Sequence, residues 1–95
     1  GRHEEAKALL RKTIPVAQRI LGDNDELTLT MRKNYAVALW SDPAATLNSL
    51  RESVTMLEDM ERIARRVLGG AHPLVVGIEG TLRAAQATLR AREDA

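Results

Sequence analysis

The side chains whose types could do chemistry are two histidines, three serines and one close group of arginines. A zinc site needs three or four converging N, S or O ligands. His72 has no Asp, Glu or His beside it at ligand spacing, and it precedes Pro73, so it reads as a turn residue. His3 is followed by Glu4 and Glu5, with no further ligand implied. Ser41, Ser49 and Ser53 lie outside any Gly-x-Ser-x-Gly nucleophile elbow. Gly69-Gly70 lacks the Gly-Lys pair of a phosphate-cradling loop. The chain has no Cys, which removes disulfides, thiolate metal sites and Cys nucleophiles and leaves the redox compartment open. The sequence therefore predicts no catalytic residue, no metal ligand and no cofactor.

Arg62, Arg65 and Arg66 form the densest basic patch. Cations near a helix C-terminus complement its dipole; the functional reading is an anchor for a phosphate or an acidic peptide. Trp40, the sole Trp, reads either as core packing or as a partner-facing anchor, because Trp is enriched among binding hot spots. The 14 basic and 13 acidic residues leave a net charge of +1, which argues against a nucleic-acid clamp. Tyr35 and Trp40 are the only aromatic residues, so no base-stacking platform is available. No apolar run reaches the roughly 18 residues of a membrane span, which predicts no membrane insertion. No signal-peptide pattern is visible, and Gly1 reads as a cut or trimmed end.

The elements that must position these residues are helices. Ala, Leu, Arg and Glu dominate, and all are strong helix formers. Ala6, Leu9, Leu10, Ile14, Ala17, Ile20 and Leu21 recur at three and four, predicting an amphipathic helix over about 3–21. Pro15 inside it removes a backbone donor and predicts a kink. Gly22 stops that helix. A second helix over about 26–40 would bury Leu27, Met31, Tyr35, Ala38 and Leu39, capped at its start by Asp23 or Asp25. The third, about 44–68, starts either with Asp42 as cap and Pro43 at its first position or only at Leu47. Its stripe is Leu47, Leu50, Val54, Leu57, Met60, Ala64, Val67 and Leu68, and Gly69-Gly70 ends it. The fourth, about 73–92, carries Val75, Ile78, Leu82, Ala85 and Leu89 inside, and the segment from Arg90 to Ala95 is expected to fray. No strand pattern appears. At 95 residues the chain is one domain, and its short loops force antiparallel neighbours.

An internal repeat sets the architecture. Ala17-Gln18-Arg19-Ile20-Leu21-Gly22 matches Ala64-Arg65-Arg66-Val67-Leu68-Gly69 at an offset of 47. At that offset Val16 meets Ile63, Leu27 meets Leu74, Met31 meets Ile78 and Ala38 meets Ala85. Each copy is a helix end, a Gly stop, a short turn and an apolar helix start. Such a unit buries its apolar face only by stacking on a neighbour.

These residues resemble the tetratricopeptide repeat, in its kinesin-light-chain-like subclass. That family ends its second helix in Val-Leu-Gly, follows with a His-Pro turn and opens its first helix around an Asn-Leu-Ala core. Ile20-Leu21-Gly22 and Val67-Leu68-Gly69 supply the helix end, and Asn34-Tyr35-Ala36 the core. His72-Pro73 supplies the turn, which Asp25-Glu26 replaces in the first copy, and Glu4-Glu5-Ala6 with Leu9 resembles the start of the family's second helix. The resemblance covers about residues 3–89. It implies an all-α fold, a four-helix fragment of an α-solenoid built from antiparallel helix-turn-helix repeats.

The family's period is a few residues shorter, which places an insertion between the copies at Ser41 to Asn48. Arg83 stands where Ala36 stands in the first copy, so the fourth helix is expected to cap the stack. The first helix is the second half of a pair, and its unmatched apolar face needs an upstream segment or a partner chain. The resemblance further implies a concave groove, lined here by Thr30, Lys33, Asn34 and Val37 and, from the fourth helix, by Thr81. The expected role is protein–protein interaction, as a scaffold or adaptor segment binding a peptide or a partner subunit. The alternative is a structural accessory subunit packed permanently within a larger assembly.

Overall fold

The computed structural model describes residues 2–95, so Gly1, read above as a trimmed end, lies outside the described residues. Four helices follow in chain order: α1 (Arg2–Leu21), α2 (Glu26–Ser41), α3 (Leu47–Leu68) and α4 (Pro73–Glu93). There is no strand among the described residues. The chain is an all-α, tetratricopeptide-like helical-repeat fragment.

The two copies fold alike at their turns. Gly22 and Gly69 adopt φ of 92° and 90°, a region that L side chains rarely enter. Gly22 N–H donates to the Gln18 carbonyl at 3.0 Å, and Gly69 N–H to that of Arg65 at 3.0 Å. Asp25 and His72 then cap α2 and α4 in extended backbone, and each side chain accepts from the N–H two residues on. These turns are built from neighbours in sequence, so equal sequences give equal geometry.

Each helix packs antiparallel on the next, and α2 also touches α4, whereas α1 and α3 do not meet. The stack is therefore two layers, α1 and α3 behind, α2 and α4 in front. The core lies between α2, α3 and α4, around Leu29, Ala36, Leu57, Met60, Ala64, Val75, Ile78 and Ala85. Ser53, buried among them, donates to the Ala36 carbonyl at 3.0 Å.

α1 runs unbroken through Pro15. Several other expectations shift. α3 begins at Leu47, because Thr46 takes the cap position and accepts from Ser49 N–H at 3.1 Å. Asp42 instead closes α2 and accepts from Ala44 N–H at 2.9 Å within the loop. Leu27 is largely exposed, while Thr28, Leu29 and Ala36 are buried. A helix touched by three others has no single buried stripe, so periodicity alone misplaces its inner face. The end of α4 is held rather than frayed as far as Glu93: Arg92 donates to the Ala45 carbonyl at 2.6 Å and Arg51 pairs with Glu93 at 3.4 Å.

Candidate functional site

The front layer carries the groove residues inferred from the sequence. Lys33 reaches from α2 toward α4, its Nζ 3.2 Å from where a Gly77 Cβ would stand. Gly77 thus leaves room for the lysine stem between the two helices. Thr30 is half-buried and its hydroxyl donates to the Glu26 carbonyl at 2.8 Å, inside its own helix. Thr81 is half-buried on α4. Asn34 and Val37 face the other way along α2. With Ala38 and Ser41 they join Arg2, His3 and Ala6 of α1 to line a hollow of about 400 Å³. The structure therefore separates Lys33, at the α2–α4 seam, from Asn34 and Val37, in the outer α1–α2 hollow.

The arginine patch is largely neutralised. Arg62 pairs with Asp59 at 2.7 Å. Arg65 pairs with Glu61 at 3.0 Å and crosses to Glu79 of α4 at 2.6 Å, which fastens α3 to α4. Arg66 is exposed. Opposite charges this near leave a weak field for a distant anion. Trp40 packs against the core, with its indole N–H buried and without an acceptor.

Both histidines serve local contacts. His72 Nδ1 accepts from Leu74 N–H at 3.0 Å, while its Nε2 lies 3.6 Å from Glu26. His3 Nε2 lies 3.4 Å from the Ser41 hydroxyl at the rim of the hollow. Beside it Lys7 pairs with Glu4 at 2.7 Å and approaches Asp42 at 3.7 Å. The hydrogen bond from Lys7 holds the Glu4 carboxyl below its ordinary range. Asp42 is also held low, chiefly by the Ala44 N–H that it accepts. These carboxylates stay charged and act as structural acceptors. Among the described residues no group of three or more His, Asp or Glu could hold a metal ion.

The feature that sequence reasoning left undeveloped is the outer face of α1. Leu9 is 66% exposed and Ile20 71%, and Val16 is exposed between them. Ala6, Leu9, Thr13, Val16 and Ile20 recur at three and four along this side. The same offset carries them onto Ser53, Met56, Met60, Ile63 and Val67 of α3. Ser53 and Met60 are fully buried there, and α2 covers Ser53. The two helices are near-identical only in their C-terminal turns, and the earlier positions match in kind at best.

Residues 1–26 match the family model described as tetratricopeptide repeat. The matched stretch spans α1, the Gly22 turn and the first residue of α2. Neither the curated proteins nor the solved structures compared with the chain match it. Tetratricopeptide repeats generally mediate protein–protein interactions. No helix among the described residues is long and apolar enough to cross a membrane.

Proposed function

We propose that this chain is a protein-binding segment of a helical-repeat scaffold, taking a peptide or partner subunit on the surface built by α1 and α2. The observation that carries the reading is the hollow between these helices, open and lined mainly by apolar atoms. Apolar surface grouped in this way marks interaction sites. The kinesin-light-chain-like subclass fits the Leu-Gly helix ends at Leu21-Gly22 and Leu68-Gly69, the His72-Pro73 turn and the Asn34-Tyr35-Ala36 core. Within it, Lys33 would favour an acidic ligand beside α4, while Asn34, which lines the hollow, is able to bond a peptide backbone; Thr81 is half-buried on α4. Arg66 remains a candidate peripheral anchor. Catalysis has no supporting constellation in this reading.

The second reading is an accessory subunit held permanently in an assembly. The exposed α1 stripe favours it, since that face lies away from the α2–α4 seam.

Partner recovery by the tagged chain distinguishes the two. Lys33→Glu and Asn34→Ala lower recovery if the groove binds, and unchanged recovery removes the groove. Loss on Leu9→Glu with Ile20→Glu, beside intact recovery for the groove variants, assigns the contact to α1. Trp40→Ala is a poor probe, because that ring packs against the core.

A further inference from the structure

A smaller hollow of about 210 Å³ lies between α1 and α3, over α2. Ile14 and Pro15 of α1 and Met56 of α3 give it apolar walls, and Arg11, Arg32 and Tyr35 complete its lining. All three of its helices belong to the two hairpins described above. On α3 the counterparts of Arg11, Ile14 and Pro15 are Glu58, Glu61 and Arg62. Both α2 and α4 pack on α3, yet Glu58 and Arg62 stay exposed. Neighbours stacked in this way leave that side of a helix uncovered. The chemistry is not repeated along the stack, because Arg32 and Tyr35 have Glu79 and Leu82 as their counterparts on α4.

The protein satisfies the two guanidiniums poorly. Arg11 pairs with no carboxylate among the described residues. Its Nε donates to the Tyr35 hydroxyl at 3.3 Å, and its guanidinium lies 5.9 Å from the centre of that ring. The hydroxyl accepts in that bond, and its own proton has no acceptor among the described residues. The Arg32 side chain is only 16% exposed, yet its charged neighbour Asp59 lies at 3.6 Å and is held more closely by Arg62, at 2.7 Å. Donors drawn out of water without acceptors cost free energy, which an incoming anion recovers.

Charge and size define that anion. Arg11, Arg32 and Arg62 face Asp59 and Glu52, the latter acting on Arg11 from α3. Glu4 also acts on Arg11 but is taken by Lys7 at 2.7 Å. Three cations against two anions leave one positive charge, which a carboxylate matches and a doubly charged phosphate ester exceeds. The guanidinium fork suits a carboxylate. The volume lies below the roughly 300 Å³ at which pockets for drug-sized ligands begin, so it suits one ring or one branched alkyl group. An acidic side chain of a partner brings the charge without that apolar body. The C-terminal apolar residue of a peptide brings both, but the rim of α3 there is Glu52, Thr55 and Asp59, which offers the preceding residues no apolar surface.

We propose that this hollow binds a small organic acid, its aryl or branched-alkyl body against Ile14, Pro15 and Met56 and its carboxylate held by Arg11, Arg32 and the Tyr35 hydroxyl. This goes beyond the protein-binding reading and does not rest on it.

The probe is hydrocinnamate, titrated into the whole chain and followed by backbone amide NMR shifts. Saturable shifts should centre on Ile14, Tyr35 and Met56. The neutral amide of the probe, which lacks the charge, and acetate, which lacks the apolar body, should each bind at least about 10-fold more weakly. Arg11→Gln should weaken hydrocinnamate about 10-fold with the helical circular dichroism unchanged, since Arg11 is exposed. Tyr35→Phe should weaken it roughly 3- to 10-fold, by loss of one hydrogen bond. Asp59→Asn should tighten binding roughly 2- to 5-fold by removing a competing carboxylate, and damage to the fold does not produce such a gain. No saturation, equal binding of acid and amide, indifference to Arg11→Gln, or shifts centred on Asn34 and Val37 overturns the proposal. Phenyl phosphate binding more tightly than hydrocinnamate overturns the choice of a carboxylate. A short peptide ending in phenylalanine that binds more than about 10-fold more tightly than hydrocinnamate overturns the free acid in favour of a peptide terminus.

Discussion

Leu10 and Leu57 hold the same place in two helices that end at equivalent glycines, yet Leu57 is fully buried and Leu10 only half-buried. The same contrast runs along both elements. Ala6 is exposed where Ser53 is buried, and Thr13 is half-buried where Met60 is fully enclosed. The front layer differs in the opposite sense. Ala36 is buried in α2, whereas its counterpart Arg83 is exposed on α4. The repeat fixes backbone shape, and position in the stack fixes burial. Among the described residues α1 exposes apolar surface where α3 is covered, and α4 carries charge where α2 is covered.

The sharpest way to break this comparison is to truncate both leucines. Leu57→Ala should cost about 2–5 kcal/mol, through lost transfer energy and the cavity left in a fully packed site. Leu10→Ala should cost about 1 kcal/mol, because less apolar area leaves water there. Urea unfolding of the two variants measures both. Equal costs would mean that α1 is as enclosed as α3 and that its bare face is not real.

Next come the turns, where the hairpins should behave alike. Gly22→Ala and Gly69→Ala should each cost about 1–3 kcal/mol, the strain of an L residue at strongly positive φ. Neither new Cβ would meet an atom within 4 Å, so the loss comes from the backbone alone. Thermal melts showing unequal losses would separate the two turns despite their matching hydrogen bonds.

The smallest effect sharpens the front layer. Thr28 is buried with no hydrogen-bond partner for its hydroxyl, and its counterpart in α4 is the buried Val75. Thr28→Val should stabilise the fold by about 1 kcal/mol, since an unsatisfied buried hydroxyl is removed at constant shape. A loss of stability would show that the hydroxyl has a partner after all.

Much of this molecule is legible in residue order. The stops at Gly22 and Gly69 and the four helices follow from local rules, whereas residue order leaves the α2 cap between Asp23 and Asp25 and marks His72 only as a turn residue. The two-hairpin plan follows from the 47-residue offset. Other readings needed the neighbours. Leu27 fits a helical stripe, but three helices surround α2 and draw Leu29 and Ala36 inward instead. Arg62 and Arg65 read as a basic patch until Asp59, Glu61 and Glu79 are seen beside them. The groove row Thr30, Lys33, Asn34 and Val37 reads as one surface, whereas the helix axis turns Lys33 toward Gly77 and Asn34 toward α1.

Residue order alone determined the four helices, the glycine stops and the kinship of the two hairpins, because hydrogen bonds along a helix and φ at a glycine depend on near neighbours. Only the tertiary packing decided which equivalent faces are enclosed. Burial is a property of what lies opposite, and α1 and α3 carry similar patterns with different things opposite them.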